Sequence, residues 1–395
     1  MSDAINMDLY NVINIIENYN IKLTSEFLPI EDTSGLVSAS EIKAPFDFPE
    51  KKRSRMDGFA FDIKIADFKK KLKVVAHLNA NETYDHKLQA DECIRCSTGS
   101  NLSKNQNAVV PIEFCNESNG YIEIDGTFRM KNRYIEEAGS IFKKNQVIIN
   151  NGSIIDHRDV EKLALCRINS INVYKKPSIG IISTGSEITE QYIIKDSIIN
   201  SNYHMLASFL SSKKIPFTYL GIVKDNYNEI LNKINEATEH YDIVVTFGGT
   251  AFGQKDLIKK IIMESKGEIM AENLNASPGR TFKFAEINKK PVFILPGNPA
   301  SASICIELFL NLFINKNYYN VKTTLINGTA NFSLNKKQGF HKLIPGFISF
   351  DKDGIIFYDR INTQNYHRHF NGIAIIDAEI QSVKVGDSVD LYLIN

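Results

Sequence analysis

The sequence predicts a multidomain protein in which a central α/β sheet domain is combined with N-terminal helix and β domains and a small C-terminal β domain. Three observations lead to this fold class. The chain has 395 residues, which at about 100–200 residues per domain suggests two to four domains. Strand and helix patterns alternate between residues 177 and 317, as in a mostly parallel sheet covered on both faces. Short alternating apolar segments before and after that region indicate β structure.

The elements can be assigned in chain order from the spacing of their apolar residues. An amphipathic helix is predicted over residues 7–19, and an all-β texture follows from about 58 to 150. The α/β region contains helical patterns at 203–213, 227–240 and 254–265. Its four predicted strands are Ser178–Ser183, Thr218–Val223, Ile243–Phe247 and Val292–Leu295. The tail, 318–395, returns to short strands and glycine turns.

The composition limits the classes of function. The 46 Lys and Arg residues balance 46 Asp and Glu residues, so the formal net charge is zero. This balance excludes a generally basic nucleic-acid binder and an acidic disordered chain. No segment approaches the roughly 20 apolar residues of a membrane span, and the N-terminus does not resemble a secretory signal. We therefore expect a cytoplasmic protein that binds neither nucleic acid nor membrane.

Two small groups of residues could be taken for metal ligands. Cys93 and Cys96 are separated by two residues, but no second Cys/His pair follows at zinc-finger spacing and the segment alternates like a strand. His367 and His369 would share a face of a strand, without an evident third ligand. A structural role is favoured for the cysteines and a surface loop for the histidines.

Polar turns follow three of the predicted parallel strands. In such sheets, ligands bind outside the carboxyl ends of the strands. The three turns are Ser183–Glu187, Gly248–Asp256 and Pro296–Ser301. The glycines of the second turn would let backbone N–H groups approach an anion, although a simple tight turn is an alternative. Because this turn matches neither GxGxxG nor the Walker A pattern, a dinucleotide or P-loop site is excluded.

The third turn and two carboxylates point to a phosphorylated ligand. Asn298 is a good N-cap and Pro299 fits the first helical position, which exposes N–H groups near Ser301 to an oxyanion. Glu187 and Asp256 could hold Mg²⁺ against phosphate oxygens, although each alone could be a surface acid. Together these residues predict a site that handles phosphate and Mg²⁺.

Several motifs in the same order resemble those of one known family. They are similar to its S-x-MDGYA, RI-x-TGA…ADAVVP-x-E, STGDEL, GGVSxGxxD and LPGNPVSA motifs. The corresponding segments are Arg53–Ala60, Arg95–Gly99 with Ala108–Glu113, Ser183–Ile188, Gly248–Asp256 and Leu295–Ala302. Their order and spacing cover most of the chain. By this resemblance the chain is identified as a member of the MoeA-type molybdopterin molybdenumtransferases, which are related to the gephyrin E-domain.

The resemblance implies an architecture and an activity. Family members are elongated homodimers with four domains per chain, and their α/β domain resembles the MogA-type molybdopterin-binding fold. The implied boundaries are 1–45 with 137–176 for the N-terminal linker and dimerisation domain and 46–136 for the β module. The MogA-like α/β domain is 177–317, and the C-terminal β domain is 318–395. The implied reaction is the Mg²⁺-dependent insertion of molybdate into adenylylated molybdopterin with release of AMP. Other proteins of molybdenum cofactor biosynthesis are expected as partners.

The resemblance also assigns site residues. Functional polar roles fall on Asp57, Thr98, Glu187, Asp225 and Asp256, with Glu187 and Asp256 as the expected Mg²⁺ ligands. A simple hairpin turn at Asp57 and Gly58 is the structural alternative. The expected substrate-binding residues are Gly248, Gly249, Thr250, Gly253, Arg280, Pro296, Gly297, Asn298 and Ser301.

The chain departs from the family pattern on the side of the cleft that the resemblance assigns to molybdate. Ser277 and Arg280 stand where the family segment KPGKP has lysines, so Arg280 is the one cation that can be placed by motif. Ser186 and Asn200 stand where aspartates are usual, and the tail lacks a convincing counterpart of the Gly-Ser element and arginine.

These departures leave a second hypothesis open, in which the chain is a non-inserting relative that carries molybdopterin or acts as a scaffold. The enzyme is favoured, because a scaffold has no reason to keep clustered carboxylates at 57, 187, 225 and 256. Under the enzyme hypothesis, we expect weak molybdate binding that depends steeply on Arg280.

Overall fold

The computed structural model describes most of the chain, and its contacts divide it into two compact units. One unit is Glu26–Val173, and the other combines Met1–Ser25 with Tyr174–Asn395. The division into four domains stays a prediction. The described residues are 7–67, 70–126, 134–191, 198–248, 257–265, 267–322, 325–352, 354–358 and 370–394.

The unit Glu26–Val173 is built around a six-stranded sheet. Across this sheet the strands run Ala108–Pro111, Gly58–Phe61, Glu92–Cys96, Leu72–Leu78, Tyr121–Ile124 and Cys115–Ser118. Cys93 and Cys96 lie buried on one of these strands, as their alternating context predicts. Burial raises the pKa of Cys93 to about 12 and that of Cys96 to about 11, so both remain protonated thiols at neutral pH.

Smaller elements complete this unit. The helix His157–Leu165 begins with a capping box between Asp156 and Asp159, which satisfies its first backbone N–H groups. Short 3₁₀ turns cover Ile30–Asp32 and Ile112–Phe114. The remaining strands form a three-stranded sheet, Ser25–Pro29, Ser170–Tyr174 and Val37–Ser38, and two pairs, Ile135–Glu136 with Arg53–Ser54 and Val147–Ile149 with Ile42–Lys43.

Gly58 begins an inner strand of the six-stranded sheet. It pairs with Cys96 on one side and Pro111 on the other, so the hairpin-turn alternative at this position is wrong. A Cβ atom at Gly58 would lie 2.1 Å from the carbonyl oxygen of Val110. The close approach of two backbones, and not a turn, is therefore what requires glycine here.

We expect Gly58→Ala to lower the free energy of unfolding by about 2 kcal/mol or more, because the backbone must shift to admit the methyl group. Urea unfolding of the full chain measures this loss. Gly126→Ala is the matched control, since no described atom lies within 4 Å of a Cβ atom at that glycine. Equal stability of the two variants would contradict the prediction.

The second unit contains the α/β sheet. Its strand order is Phe217–Val223, Ile179–Thr184, Ile243–Phe247, Lys290–Leu295, Lys283–Ile287 and Glu268–Ala271. The first four strands are parallel, and they confirm the four strands predicted from the sequence. The last two are antiparallel additions at one edge that the sequence patterns did not predict.

Helices cover both faces of this sheet, as predicted. Leu9, Val12 and Ile16 of the opening helix pack into the core on one face, whereas Ile230 and Ile234 pack on the other. A π-helical turn, Ile306–Leu310, interrupts the last helical segment. Among the described residues, no helix has the length and apolar character that crossing a membrane requires. The α-helices of this unit are Leu9–Asn18, Ser201–Ser212, Tyr227–His240, Leu257–Glu264, Pro299–Cys305 and Asn311–Asn317.

The C-terminal strands form a small barrel, which confirms the predicted β domain. The ring closes because the first and last strands of the series also pair with each other. Phe357, Ala374 and Leu391 lie in its core. The strands of the ring are His341–Asp351, Gly354–Tyr358, Leu325–Ala330, Ser388–Leu393 and Gly372–Ile376. Two short pairings accompany it, Leu334–Asn335 with Ser382–Val383, and Ala276–Ser277 with the start of His341–Asp351.

One more short parallel pair belongs to the α/β region. It joins Ile188–Thr189 to Ile198–Ile199, near the carboxyl ends of the parallel strands.

Candidate ligand-binding site

A cavity of about 260 Å³ lies at the carboxyl ends of the parallel strands. It brings together all three polar turns that the sequence singles out, as expected for an open parallel sheet. The described residues that line it are Thr184, Gly185, Glu187, Ile188, Ile198, Ile199, Asn200, Ser201, Asn202, Asp225, Phe247, Gly248, Gly297 and Pro299.

Gly248 and Gly297, two of the three described glycines that line this cavity, bring bare backbone to it. Gly248 has a φ of 86°, and a Cβ atom there would lie 2.6 Å from the carbonyl oxygen of Thr184. A Cβ atom at Gly297 would lie 3.8 Å from the Cα atom of Gly248, so the second and third turns are in contact. A ligand can therefore approach the main chain closely at this point.

Two acidic side chains also line the cavity. Glu187 and Asp225 are both exposed. The backbone N–H of Ser186 donates to Oδ2 of Asp225 at 3.2 Å, and the N–H of Asp225 donates to Oγ of Ser186 at 3.3 Å. Ser186, which stands where the family has aspartate, thus links the loop of Glu187 to the loop of Asp225 through two hydrogen bonds. Because it is uncharged, it adds no third negative charge to the cavity.

The donor set fits a Mg²⁺ ion that shares its ligands with a substrate. Nowhere in the described chain do three or more His, Cys, Asp or Glu side chains come close enough to hold a metal by themselves. Mg²⁺ usually takes one or two carboxylates and completes its shell with water and phosphate oxygens. Glu187 and Asp225 can provide that minimum. The other predicted ligand, Asp256, lies outside the described residues, as do Gly249, Thr250 and Gly253.

Two asparagines next to the cavity have contrasting partners. Asn200 is buried, and its Nδ2 donates to Oγ of Ser183 at 3.0 Å and to the hydroxyl of Tyr219 at 2.8 Å. Asn202 is 8% exposed, and its Nδ2 donates to the carbonyl oxygen of Gly297 at 2.8 Å. Its Oδ1 is buried and has no hydrogen-bond partner within the described part of the chain.

The unpaired Oδ1 of Asn202 is an acceptor in the wall of a cavity. Buried polar atoms are normally hydrogen-bonded, so this one fits a ligand that brings an N–H or O–H group. Sequence reasoning did not select Asn202 as a site residue. The segment Asn200–Asn202, whose first residue stands where the family has aspartate, was the available signal, but only the fold shows which of its amides has an unpaired atom.

Asp57 and Thr98, two of the predicted site residues, lie in the other unit and contact each other. The backbone N–H and the hydroxyl of Thr98 both donate to Oδ1 of Asp57, at 2.6 and 3.0 Å. These hydrogen bonds hold the pKa of Asp57 below its usual value. The result is an exposed carboxylate that is ionised at neutral pH and fixed in direction by its partner.

A second cavity, of about 410 Å³, lies beside the helix that starts at Pro299. Asn298 caps this helix by accepting from the N–H of Ser301 at 3.2 Å, which confirms the predicted helix start. The described residues that line this second cavity are Ser277, Pro278, Asn298, Ala300, Ser301, Ser303, Ile304, Leu334, Lys342, Leu343, Ile344, Pro345 and Phe370.

Arg280 is exposed and is not among the described residues that line this second cavity. Its guanidinium group lies over the ring of Phe340, 5.2 Å from the centroid. Arg280 and Pro296 remain proposed substrate-binding residues on the resemblance alone. The segment His367–His369 lies outside the described residues.

Comparisons with known proteins agree with the resemblance. A family model described as the MoeA N-terminal region (domain I and II) matches residues 3–166, and one described as "Probable molybdopterin binding domain" matches residues 180–316. A relative from Methanocaldococcus jannaschii, named for molybdopterin biosynthesis, is 33% identical over 70% of this chain and 71% of its own. A molybdopterin molybdenumtransferase from Staphylococcus epidermidis is 24% identical over 96% of this chain and 91% of its own.

Solved structures share the fold. A crystal structure of a molybdopterin biosynthesis MoeA protein from Pyrococcus horikoshii has a TM-score of 0.81 at 23% identity, covering 98% of this chain and 99% of its own. The fold, the cavity at the carboxyl ends of the parallel strands (the strand-end cavity) and the matched families together define a transferase of molybdenum cofactor biosynthesis. The chain belongs to the MoeA family.

Proposed function

We propose that this protein is a molybdopterin molybdenumtransferase that acts on adenylylated molybdopterin and molybdate, requires Mg²⁺ and releases AMP. The observation that carries the proposal is the strand-end cavity, where Glu187 and Asp225 lie beside the exposed backbone of Gly248 and Gly297. The name of the Staphylococcus epidermidis relative, which matches nearly the whole chain, supports it.

Each group of the cavity has a distinct part in this proposal. The main chain at Gly248 and Gly297 would receive the phosphate part of the substrate, because no side chain stands between them and the ligand. Oδ1 of Asn202 would orient the substrate by accepting a hydrogen bond from it. Gly249, Thr250 and Gly253 would extend the same turn.

Glu187 and Asp225 would hold Mg²⁺, together with Asp256 by resemblance. When bound, the ion supplies positive charge to phosphate oxygens, and phosphoryl-group chemistry depends mostly on such neutralisation and on positioning. Asp57 and Thr98 are proposed as a further catalytic pair, since their hydrogen bonds already hold an ionised carboxylate in place.

The test is to incubate the purified protein with adenylylated molybdopterin, Mg²⁺ and molybdate and to measure AMP. We expect AMP release that requires both Mg²⁺ and molybdate, because the reaction couples cleavage of the phosphoanhydride to metal insertion. Reactions without Mg²⁺ or without molybdate are the controls. Absence of AMP from the complete reaction would contradict the proposal.

A carrier or scaffold role is the second candidate. It is favoured by Ser277 and Asn200, which stand where the resemblance expects a lysine and an aspartate. A carrier would retain adenylylated molybdopterin without releasing AMP, so the same assay, followed by recovery of the bound pterin, separates the two functions.

We also propose a cytoplasmic homodimer. Light scattering that shows a monomer at micromolar concentration would contradict the dimer.

A further inference from the structure

A buried hydrogen-bond network adjoins the strand-end cavity. Its centre is Asn200, which is 4% exposed and directly precedes the helix Ser201–Ser212. The Nδ2 atom of Asn200 donates to Oγ of Ser183 at 3.0 Å and to the hydroxyl of Tyr219 at 2.8 Å, and its Oδ1 atom accepts from Oγ of Ser183 at 3.2 Å. Both N–H groups and the oxygen of this amide therefore have partners within the protein, so the side chain is fixed in place.

The hydroxyl of Tyr219 has a second partner. It also forms a hydrogen bond with the exposed carboxylate of Glu190. An amide Nδ2 atom can only donate and an ionised carboxylate can only accept, so the hydroxyl accepts from Asn200 and donates to Glu190. Burial, and next the hydrogen bond to Glu190, raise the pKa of the Tyr219 phenol, which therefore remains a donor at neutral pH.

The two partners of this hydroxyl belong to different segments of the cavity wall. Glu187, which lines the cavity, is three residues before Glu190, and Asn202, which also lines it, is two residues after Asn200. Tyr219 itself lies on a strand of the α/β sheet. Its hydroxyl thus connects both segments to a rigid element, and side chains supported in this way keep their positions more precisely.

Other contacts hold the same arrangement without the hydroxyl. The backbone N–H of Asn200 donates to the carbonyl oxygen of Thr189 at 3.0 Å. The ring of Tyr203 stacks on the ring of Tyr219, with 3.9 Å between the centroids. Removing only the hydroxyl of Tyr219 therefore leaves the stacking and the backbone pairing, and it isolates the contribution of the hydrogen bonds.

We propose that Tyr219 is a positioning residue whose hydroxyl fixes the segments of Glu187 and Asn202, and that the asparagine at position 200 directs its proton to Glu190. The consequence for the reaction rests on the proposed function. The resemblance expects aspartate at position 200. A carboxylate there would itself accept the proton of Tyr219 and leave Glu190 without it. The asparagine is thus matched to Glu190.

The direct test is backbone hydrogen exchange of the ligand-free, full-length protein, read on peptides that cover residues 187–190 and 198–202. We expect exchange in both segments to be at least tenfold faster in Tyr219→Phe, because less free energy opposes local opening. Tyr19→Phe is the matched control. Tyr19 is also half-buried, and its hydroxyl donates to a carboxylate, that of Glu286, at 2.7 Å, but it is not among the described lining residues of the cavity. Equal exchange in Tyr219→Phe and the wild type would overturn the proposal.

Substitutions of the two partners test the direction of the proton by the same measurement. Glu190→Gln keeps an oxygen that can accept from Tyr219 and should behave like the wild type, whereas Glu190→Ala should reproduce Tyr219→Phe in residues 187–190. Asn200→Asp, which restores the residue of the family, should also speed exchange there, because Tyr219 then donates to position 200. Exchange at 187–190 that is unchanged or slower in Asn200→Asp would overturn the role of the asparagine.

The AMP assay connects the network to the reaction. We expect Tyr219→Phe to raise the KM for adenylylated molybdopterin and the Mg²⁺ concentration for half-maximal activity at least threefold each, whereas Tyr19→Phe should change neither. A purely structural role of Tyr219 would leave both values unchanged, and that result would overturn the positioning role.

Failure of the proposed function gives a different pattern. If the wild type retains adenylylated molybdopterin without releasing AMP, the transferase proposal fails. Weaker retention of the pterin by Tyr219→Phe than by Tyr19→Phe would then still support the positioning role, and equal retention would overturn it. Thermal melting of each variant checks that it is folded.

Discussion

Glu187→Gln should lower the rate of AMP release at least tenfold while leaving the protein folded. The side chain keeps its size but loses the charge that we propose for holding Mg²⁺, and a bound metal ion contributes several kcal/mol to charge stabilisation. Asp225→Asn should also lower the rate, because it too removes a negative charge. The remaining Oδ atom can still accept the hydrogen bond from the N–H of Ser186, so the contact between the two loops is kept. The measurement is AMP release across a Mg²⁺ titration.

Glu239→Gln is the control for both changes, because Glu239 is an exposed carboxylate on the same unit and is not among the described lining residues of the strand-end cavity. Loss of a metal ligand should raise the Mg²⁺ concentration required for half-maximal activity. Full activity of Glu187→Gln at wild-type Mg²⁺ requirement would mean that Glu187 is only a surface acid.

Glu307→Gln should stabilise the protein above neutral pH. Glu307 is largely buried in the π-helical turn, and burial raises the pKa of its carboxyl group to about 7, despite the opposing effects of nearby Lys213 and a hydrogen bond from Asn311. Between its ordinary value of 4.5 and about 7, the native state therefore binds more protons at this site than the unfolded state does. The free energy of unfolding consequently falls as the pH rises through that window.

Glutamine removes the ionisation and keeps an oxygen that can accept from Asn311. At pH 8 we expect the free energy of unfolding of Glu307→Gln to exceed that of the wild type by about 3 kcal/mol, because each unit of pKa shift corresponds to about 1.4 kcal/mol. Below pH 4.5 the two proteins should be nearly equally stable. Urea unfolding at both pH values measures the difference, with Glu239→Gln as the exposed control. An identical pH dependence of wild type and Glu307→Gln would contradict the assignment.

Local signals were sufficient for much of the α/β region. The helix Tyr227–His240 has the bounds predicted from its periodicity, and the side chain of Asn226 caps it by accepting from the N–H of Glu229. The strand Ile243–Phe247 is buried throughout, and a continuous apolar run of this kind is typical of an inner parallel strand. Both elements are determined by residues that are adjacent in the sequence.

Contacts between distant segments account for what sequence reasoning missed. Lys283–Ile287 contains charged residues and was not predicted as a strand, but pairing with Lys290–Leu295 stabilises it in the sheet. The pairing of Ser277 with Lys342 joins two segments that no sequence pattern connects. Glu187 and Asp225 could be selected by motif, whereas the unpaired oxygen of Asn202 becomes visible only when its neighbours are known.

Closure of the C-terminal barrel has a consequence for how the protein behaves at high concentration. A ring of paired strands leaves no long strand edge onto which the strand of another molecule could add. This protection matters in a chain whose formal net charge is zero, because electrostatic repulsion between copies is weak. Breaking one pairing of the ring would therefore promote aggregation more than an equal loss of stability elsewhere in the chain.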